Sequence, residues 1–292
     1  MRIADGWKDY TLLDASCGER LEQWGEIFLI RPDPQVVFRT PKAHPGWKKA
    51  HARYLRSSAG GGRWEIYRTV PESWKIGYQG LTFALKPMGF KHTGLFPEQA
   101  VNWDWMRTQI TRTGRPLKIL NLFAYTGGAT AACLHAGASV THVDASKGMV
   151  AWAKDNAALS GVADKPVRWL VDDCMKFVRR ELRRGSRYDG IVMDPPSYGR
   201  GPGGEVWKLE DGIYEFLELV CQLLSDDAEW LMVNSYTAGL SPCVMEYMLG
   251  ALVQKRRGGC VRSDEIGLPV ASTGLALPCG STAVWSRSAL LL

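Results

Sequence analysis

Between residues 117 and 233 short apolar runs alternate with helical stretches, and this alternation constrains the fold more than any other feature of the chain. Residues 117–123 (LKILNLF) form a run of the kind buried on both faces of a parallel sheet. A helical stretch at 129–136, a strand at 139–144, and a helix at 147–160 come next. A strand at 167–171 leads to an arginine-rich helix at 175–184. A strand at 188–193, a helix at 210–224 and a strand at 229–233 complete five β units. Strand–helix alternation at this spacing predicts a doubly wound, Rossmann-like α/β sheet. Gly and Pro at 267, 269, 274, 278 and 280 predict an antiparallel hairpin that closes it.

Residues 1–100 have a different texture. Strand-like runs at 26–30, 35–38, 64–69, 74–78 and 81–86 are broken by Cys17-Gly18, by the turn at 31–34, and by a flexible SSAGGG loop at 57–62. The expected organisation is a small β-rich basic domain over 1–100, followed by the α/β domain over 101–292. The net charge is +6, yet residues 39–68 hold eight Lys/Arg against one acid, Glu65. Trp47, Tyr54, Trp64 and Tyr67 are interleaved with those cations. Such a mixture suits a phosphate backbone and stackable bases; a solvated loop with packed aromatics is the plainer alternative. The seven cysteines are scattered with no CxxC pair, and the five histidines lack ligand spacing. Neither a disulfide framework nor a metal is expected, and a reducing compartment is. No apolar run is long enough to span a bilayer, and the N-terminus has no secretory pattern, so the expected location is the cytoplasm.

Ligands of open α/β sheets sit at the carboxyl ends of the strands. The first strand of the α/β domain runs into Ala124-Tyr125-Thr126-Gly127-Gly128, where glycine permits close approach of backbone to ligand. That turn lacks the full G-x-G-x-x-G dinucleotide fingerprint and has no phosphate-loop lysine. The second strand ends in Asp144, a carboxylate able to accept two ribose hydroxyls or, alternatively, to cap the next helix. Asp172-Asp173 ends the third, suited to an adenine amine or again to a cap. The fourth ends in Asp194-Pro195-Pro196-Ser197-Tyr198. Two prolines after a strand-end acid remove backbone donors, stiffen the loop, and leave carbonyls aimed outward, which packing alone does not require.

This order of motifs, Asn121-Leu122-Phe123-Ala124-Tyr125-Thr126-Gly127-Gly128, then Val143-Asp144-Ala145-Ser146, Asp172-Asp173 and Asp194-Pro195-Pro196-Ser197-Tyr198, resembles the class I S-adenosylmethionine-dependent methyltransferases. Within them it is similar to the bacterial large-subunit ribosomal RNA branch of cytosine-C5 and guanine-N7 enzymes. Lys91-His92-Thr93-Gly94-Leu95-Phe96-Pro97-Glu98-Gln99 is similar to that branch's K-T-G-x-F-x-D-Q stretch, with Glu98 in place of the usual Asp. The resemblance covers roughly residues 75–240. It implies that S-adenosylmethionine is the cofactor and RNA the partner. Phe123, Tyr125 and Gly127 would line the methionine end. Asp144 and Ala145 would hold the ribose side, and Asp172, Asp173 and Cys174 the adenine side. Asp194, Pro195, Pro196 and Tyr198 would face the methyl acceptor.

One departure bears on mechanism. Cytosine-C5 methylation needs a thiolate to add to the ring, and in that branch the cysteine lies just after the fifth strand. Here the position reads Val233-Asn234-Ser235-Tyr236-Thr237, and Cys243 comes later. A ring nitrogen or amine, which carries its own lone pair, is therefore the expected acceptor. The rivals are a methyltransferase of protein side chains or metabolites, an RNA-binding module without turnover, and a nicotinamide oxidoreductase, which the missing fingerprint disfavours.

Overall fold

The computed structural model describes residues 1–57, 61–200, 206–237 and 239–288. Part of the SSAGGG loop therefore lies outside the described residues. By contact density the chain forms two compact units. One comprises residues 3–101 with 266–279, the other 102–265 with 280–292, to which Arg2 is also assigned.

After β1 (Arg2–Ile3), the first unit builds a five-stranded sheet in chain order: β2 (Tyr10–Ser16), β3 (Glu19–Trp24), β4 (Ile27–Pro32), β5 (Ala52–Arg56) and β6 (Gly62–Ile66). A separate hairpin joins β7 (Trp74–Tyr78) to β8 (Leu81–Leu85). Two tight turns set the registers. Cys17-Gly18 (φ 53° and 78°) and Gln79-Gly80 (φ 44° and 87°) both take left-handed conformations, the geometry that two-residue hairpin loops require. The expected strand at 35–38 does not form. Val36 and Phe38 instead accept from Gly18 N (2.8 Å) and Cys17 N (2.9 Å). The tight turn thus uses up the carbonyls that a ladder partner would need.

The unit also buries charge. Glu22, inaccessible to solvent, accepts from Arg31 Nε at 2.5 Å, from Arg31 Nη2 at 2.7 Å and from the Tyr10 hydroxyl at 2.8 Å; Arg20 Nε lies 3.3 Å away. Burial alone would raise the Glu22 pKa, but Arg20 and Arg31 outweigh it and hold the carboxyl at about 2.

The second unit carries α1 (Ala100–Thr113), β9 (Lys118–Leu122), α2 (Gly128–His135), β10 (Ser139–Asp144), α3 (Lys147–Leu159), β11 (Val167–Val171), α4 (Cys174–Arg183) and β12 (Gly190–Met193). A short hairpin, β13 (Tyr198–Arg200) and β14 (Val206–Lys208), precedes α5 (Leu209–Cys221), β15 (Trp230–Ser235) and α6 (Pro242–Leu249). The closing strands are β16 (Cys260–Pro269) and β17 (Ala276–Ser286). The sheet order is β1-β16-β17-β15-β12-β9-β10-β11. β15, β12, β9, β10 and β11 run parallel, and β17 is antiparallel to β15. Leu120, Leu122, Ile191, Met193, Leu231 and Val233 are buried with Phe177 and Phe216, which is why those runs contain so few polar residues. Helices α1 and α6 and the β13–β14 hairpin are additions to the predicted elements.

Candidate active site

The parallel registers bring the strand ends to one edge. Leu122 pairs with both Val143 and Met193, and Asp144 with Val171. One residue further, Phe123, Asp172 and Asp194 leave the sheet beside Asp144. The strand order reverses between β10-β9 and β12-β15, so the loops after β9 and β12 flank a topological switch point.

The β9–α2 loop is held in an uncommon shape. Phe123 (φ 55°) and Tyr125 (φ 49°) are left-handed without being glycine, and Gly127 (φ 82°) follows. Such residues cost about 1–3 kcal/mol each and persist only where neighbours enforce them. Here Phe123 N donates to Cys174 Sγ (3.3 Å), Tyr125 N to Asp144 Oδ2 (2.9 Å), and Asn156 Nδ2 to the Thr126 carbonyl (2.8 Å). Close packing fixes the glycines. A Cβ on Gly127 would lie 2.9 Å from Ala153 Cβ, and one on Gly128 would lie 2.6 Å from the Trp103 ring.

Asp144 is not a helix cap. Its two oxygens accept from Tyr125 N and from Ser146 N (2.8 Å), while Ser146 itself caps α3. Burial raises the Asp144 carboxyl above its ordinary range, partly offset by those amides. Each oxygen retains a further lone pair, so the pair fits two ribose hydroxyls. Ala145 is exposed beside it. The two following acids are engaged differently: Asp172 pairs with Arg180, and Asp173 caps α4 by accepting from Lys176 N (2.8 Å). Cys174 is buried, its thiol pushed well up by desolvation, and it supports the Phe123 amide.

Across the switch point Asp194 is half-buried, Pro195 buried, and Pro196 and Tyr198 exposed. Not every carbonyl of this loop points outward. Trp207 Nε1 donates to the Pro196 oxygen at 2.8 Å, and Leu209 N donates to that of Ser197 at 3.1 Å. The Trp207 ring lies over Gly212, where a Cβ would come within 2.7 Å of it, and its centroid is 6.5 Å from that of Phe123. Trp207 and Asn156 were not among the predicted site residues. After the fifth strand, Thr237 Oγ1 donates to Ser197 Oγ at 2.6 Å, and Cys243 is exposed on α6.

In the first unit the basic segment has fewer free aromatics than its composition implies. Trp47 Nε1 donates to Asp14 (2.8 Å), Trp64 Nε1 to the Met88 carbonyl (2.8 Å), and Tyr54 is buried; Tyr67 is 49% exposed. Three of the four aromatics therefore hold the fold, while Arg39, Lys48, Lys49, Arg56, Arg63 and Arg68 stay exposed. Among the described residues there is no group of three metal-binding side chains, and no helix is long and apolar enough to cross a membrane.

Comparison with known proteins adds to this geometry. Residues 45–222 match the model of the S-adenosylmethionine-dependent methyltransferase family. A SAM-dependent methyltransferase from Agrobacterium tumefaciens superposes with a TM-score of 0.91 at 37% identity, covering 98% of this chain and 93% of that one. A methyltransferase fold solved in complex with SAH superposes at 0.74 with 16% identity, over 96% of this chain and 76% of that one. Ribosomal RNA large subunit methyltransferase K/L of Shewanella baltica is 33% identical over 158 residues, which are 53% of this chain and 21% of that protein. The matched stretch thus spans about a fifth of that relative's length. The chain belongs to the S-adenosylmethionine-dependent methyltransferase family.

Proposed function

We propose that this protein transfers a methyl group from S-adenosylmethionine to a base nitrogen of RNA in the cytoplasm, ribosomal RNA being the favoured substrate. The observation that carries this reading is the rigid Asp194-Pro195-Pro196 loop facing the strained β9–α2 loop across the switch point, with no cysteine directly after β15, the next in the chain being Cys243. Bound S-adenosylmethionine supplies an electrophilic methyl group. Asp144 holds the ribose, the backbone from Phe123 to Gly127 lines the methionine end, and Asp173 and Cys174 border the adenine. Asp172 serves that side through its pair with Arg180. The Asp194 carboxylate orients the acceptor by accepting from an N–H of the base, or takes the proton released from an amine. Pro195, Pro196 and Tyr198 shape the acceptor's seat and exclude water. An acceptor with its own lone pair needs positioning and a dry site, not a covalent intermediate. The Ser235 and Thr237 hydroxyls near the loop are poor nucleophiles at neutral pH, which favours nitrogen over ring carbon.

RNA is favoured over protein by the cation surplus of residues 39–68, set as an N-terminal docking region (1–100) before the catalytic region (101–292), and by the name of the Shewanella relative. The test is transfer of labelled methyl groups into total RNA and, in parallel, total protein from a strain lacking the gene. Label in one RNA species supports the reading and maps the site. Label in protein alone refutes it.

A further inference from the structure

Residues 165–187 contain eight Lys/Arg against three acids, and the structure shows where each acid goes. Asp172 is paired with Arg180, and Asp173 is the cap of α4. Glu181 is buried, accepting from the Tyr188 hydroxyl (2.8 Å) and from Arg184 (3.0 Å), with Arg168 3.5 Å away. Every acid is thus turned inward or spent. Lys176, Arg179, Arg183 and Arg187 are all exposed, and none pairs with a carboxylate among the described residues.

Their placement is ordered. At 3.6 residues per turn, Lys176, Arg179 and Arg183 fall within an arc of about 60° on α4, with steps of roughly 4.5 and 6 Å along the axis. Phe177, Val178 and Glu181 occupy the buried side. Arg187, past the Gly185 turn, adds a further exposed cation. The helix begins at Asp173 and Cys174, beside the β9–α2 loop, so the row of charge starts at the candidate cofactor site and leads away from it. A line of uncompensated cations at this spacing matches successive phosphates of a nucleic-acid strand, to which each contributes by releasing a condensed counterion.

We infer that the exposed face of α4, formed by Lys176, Arg179 and Arg183 and extended by Arg187, is a phosphate-backbone track for the RNA substrate. The inference rests on the RNA reading above and specifies which surface of the catalytic unit holds the strand. The competing role for these cations is to guard the sheet edge at β11 against pairing with other chains.

The test compares the full-length wild type with K176Q/R179Q/R183Q/R187Q and with a charge-matched control, K154Q/K255Q/R256Q/R262Q, all four of whose sites are exposed. The probe is total ribosomal RNA from a strain lacking the gene, titrated from 50 to 300 mM salt, with S-adenosylmethionine affinity as the check on folding. On a single-stranded contact, four lost cations should lower the slope of log K against log salt by about 3 and the affinity at 150 mM by at least tenfold. The control should keep the wild-type slope, and all three proteins should bind S-adenosylmethionine equally. An α4 variant with wild-type slope and affinity overturns the track, as does one that self-associates while still binding RNA normally. Equal losses in both variants also overturn it, in favour of net charge. If the wild type itself binds RNA without salt dependence, the RNA reading fails, and that outcome is distinct from failure of the track alone.

Discussion

Replacing Asp144 separates the loop support its carboxylate gives from the ribose contact proposed for it. In the free protein its oxygens hold the Tyr125 and Ser146 amides at 2.9 and 2.8 Å, and the first of these fixes a left-handed non-glycine residue. Hydrogen bonds to a charged group are worth about 1.5–3 kcal/mol each, so Asp144→Ala should cost the fold about 1.5–3 kcal/mol after solvent re-pairs one amide. One carboxylate bond to a ribose hydroxyl has the same value, about 10- to 100-fold in affinity at 1.4 kcal/mol per decade. Asp144→Ala should therefore weaken S-adenosylmethionine binding by at least tenfold. Asp144→Asn keeps one oxygen for the loop but loses the charge, so it should retain most of the stability while still binding about tenfold more weakly. Urea unfolding and calorimetric titration of the same preparations measure the two effects independently. Because burial raises this carboxyl, wild-type affinity should decline as pH falls through a range above that of an ordinary aspartate, whereas the Asn variant should be flat there. The sign for the cofactor-free fold is opposite. A raised folded pKa stabilises below the unfolded pKa and loses that contribution as pH rises through the folded value. Acid should thus release cofactor without this group driving unfolding. Wild-type affinity in Asp144→Ala would refute the ribose assignment, and affinity that merely tracks stability in both variants would reduce Asp144 to a loop support.

Other positions give sharp contrasts. Gly128→Ala places a Cβ 2.6 Å from the Trp103 ring and should cost about 1–3 kcal/mol, whereas Gly148→Ala on α3 meets only Ser146 Oγ at 3.9 Å and should be neutral or stabilising by up to about 1 kcal/mol in urea melts. Glu22→Gln leaves the buried Arg31 without its counter-charge, while Arg20 keeps only Asp33 at 3.3 Å, and should cost about 3–5 kcal/mol. In the wild type that contribution is fully present above the ordinary glutamate value of 4.5 and is lost as pH falls toward about 2, which acid titration followed by circular dichroism will read. Trp207→Phe keeps the ring over Gly212 but removes the donor to Pro196; turnover should drop severalfold while S-adenosylmethionine affinity stays within twofold, and unchanged turnover would show that the bond is irrelevant. Cys243→Ala should leave turnover within twofold, and a large loss in a folded protein would restore thiolate chemistry.

The parts of the site visible in the sequence are those whose signals are local. Central parallel strands are largely apolar, so β9 and β12 stand out as runs, with β10 and the edge strand β11 as shorter, mixed ones, and the residue that ends each run is placed by the sheet register and not by distant contacts. That is why Asp144 and Asp194 reach one edge from positions fifty residues apart in the chain. The supports are hidden because their partners are remote or their chemistry is ordinary. Asn156 is one polar residue on an amphipathic helix, and only the fold brings its amide to the Thr126 carbonyl. Trp207 follows a loop and could belong to any core; its role depends on Gly212 five residues later making room for the ring. Helix α1 carried a signal, Trp103, Met106 and Ile110 at helical spacing, but Asn102 and Gln109 obscure it. Asn102 is buried because it bonds Asn234 and Thr282, more than a hundred residues away. The same logic explains the aromatics of the basic segment. Composition reports that Trp47 and Trp64 lie among cations, whereas only the structure shows each indole N–H already committed, to Asp14 and to Met88. On α4 it works in the other direction, since of the three acids that offset its cations on paper Glu181 is buried, Asp172 is paired with Arg180 and Asp173 caps the helix. Composition counted along the chain thus overstates the aromatic part of one candidate RNA surface, and net charge understates the electrostatic part of the other.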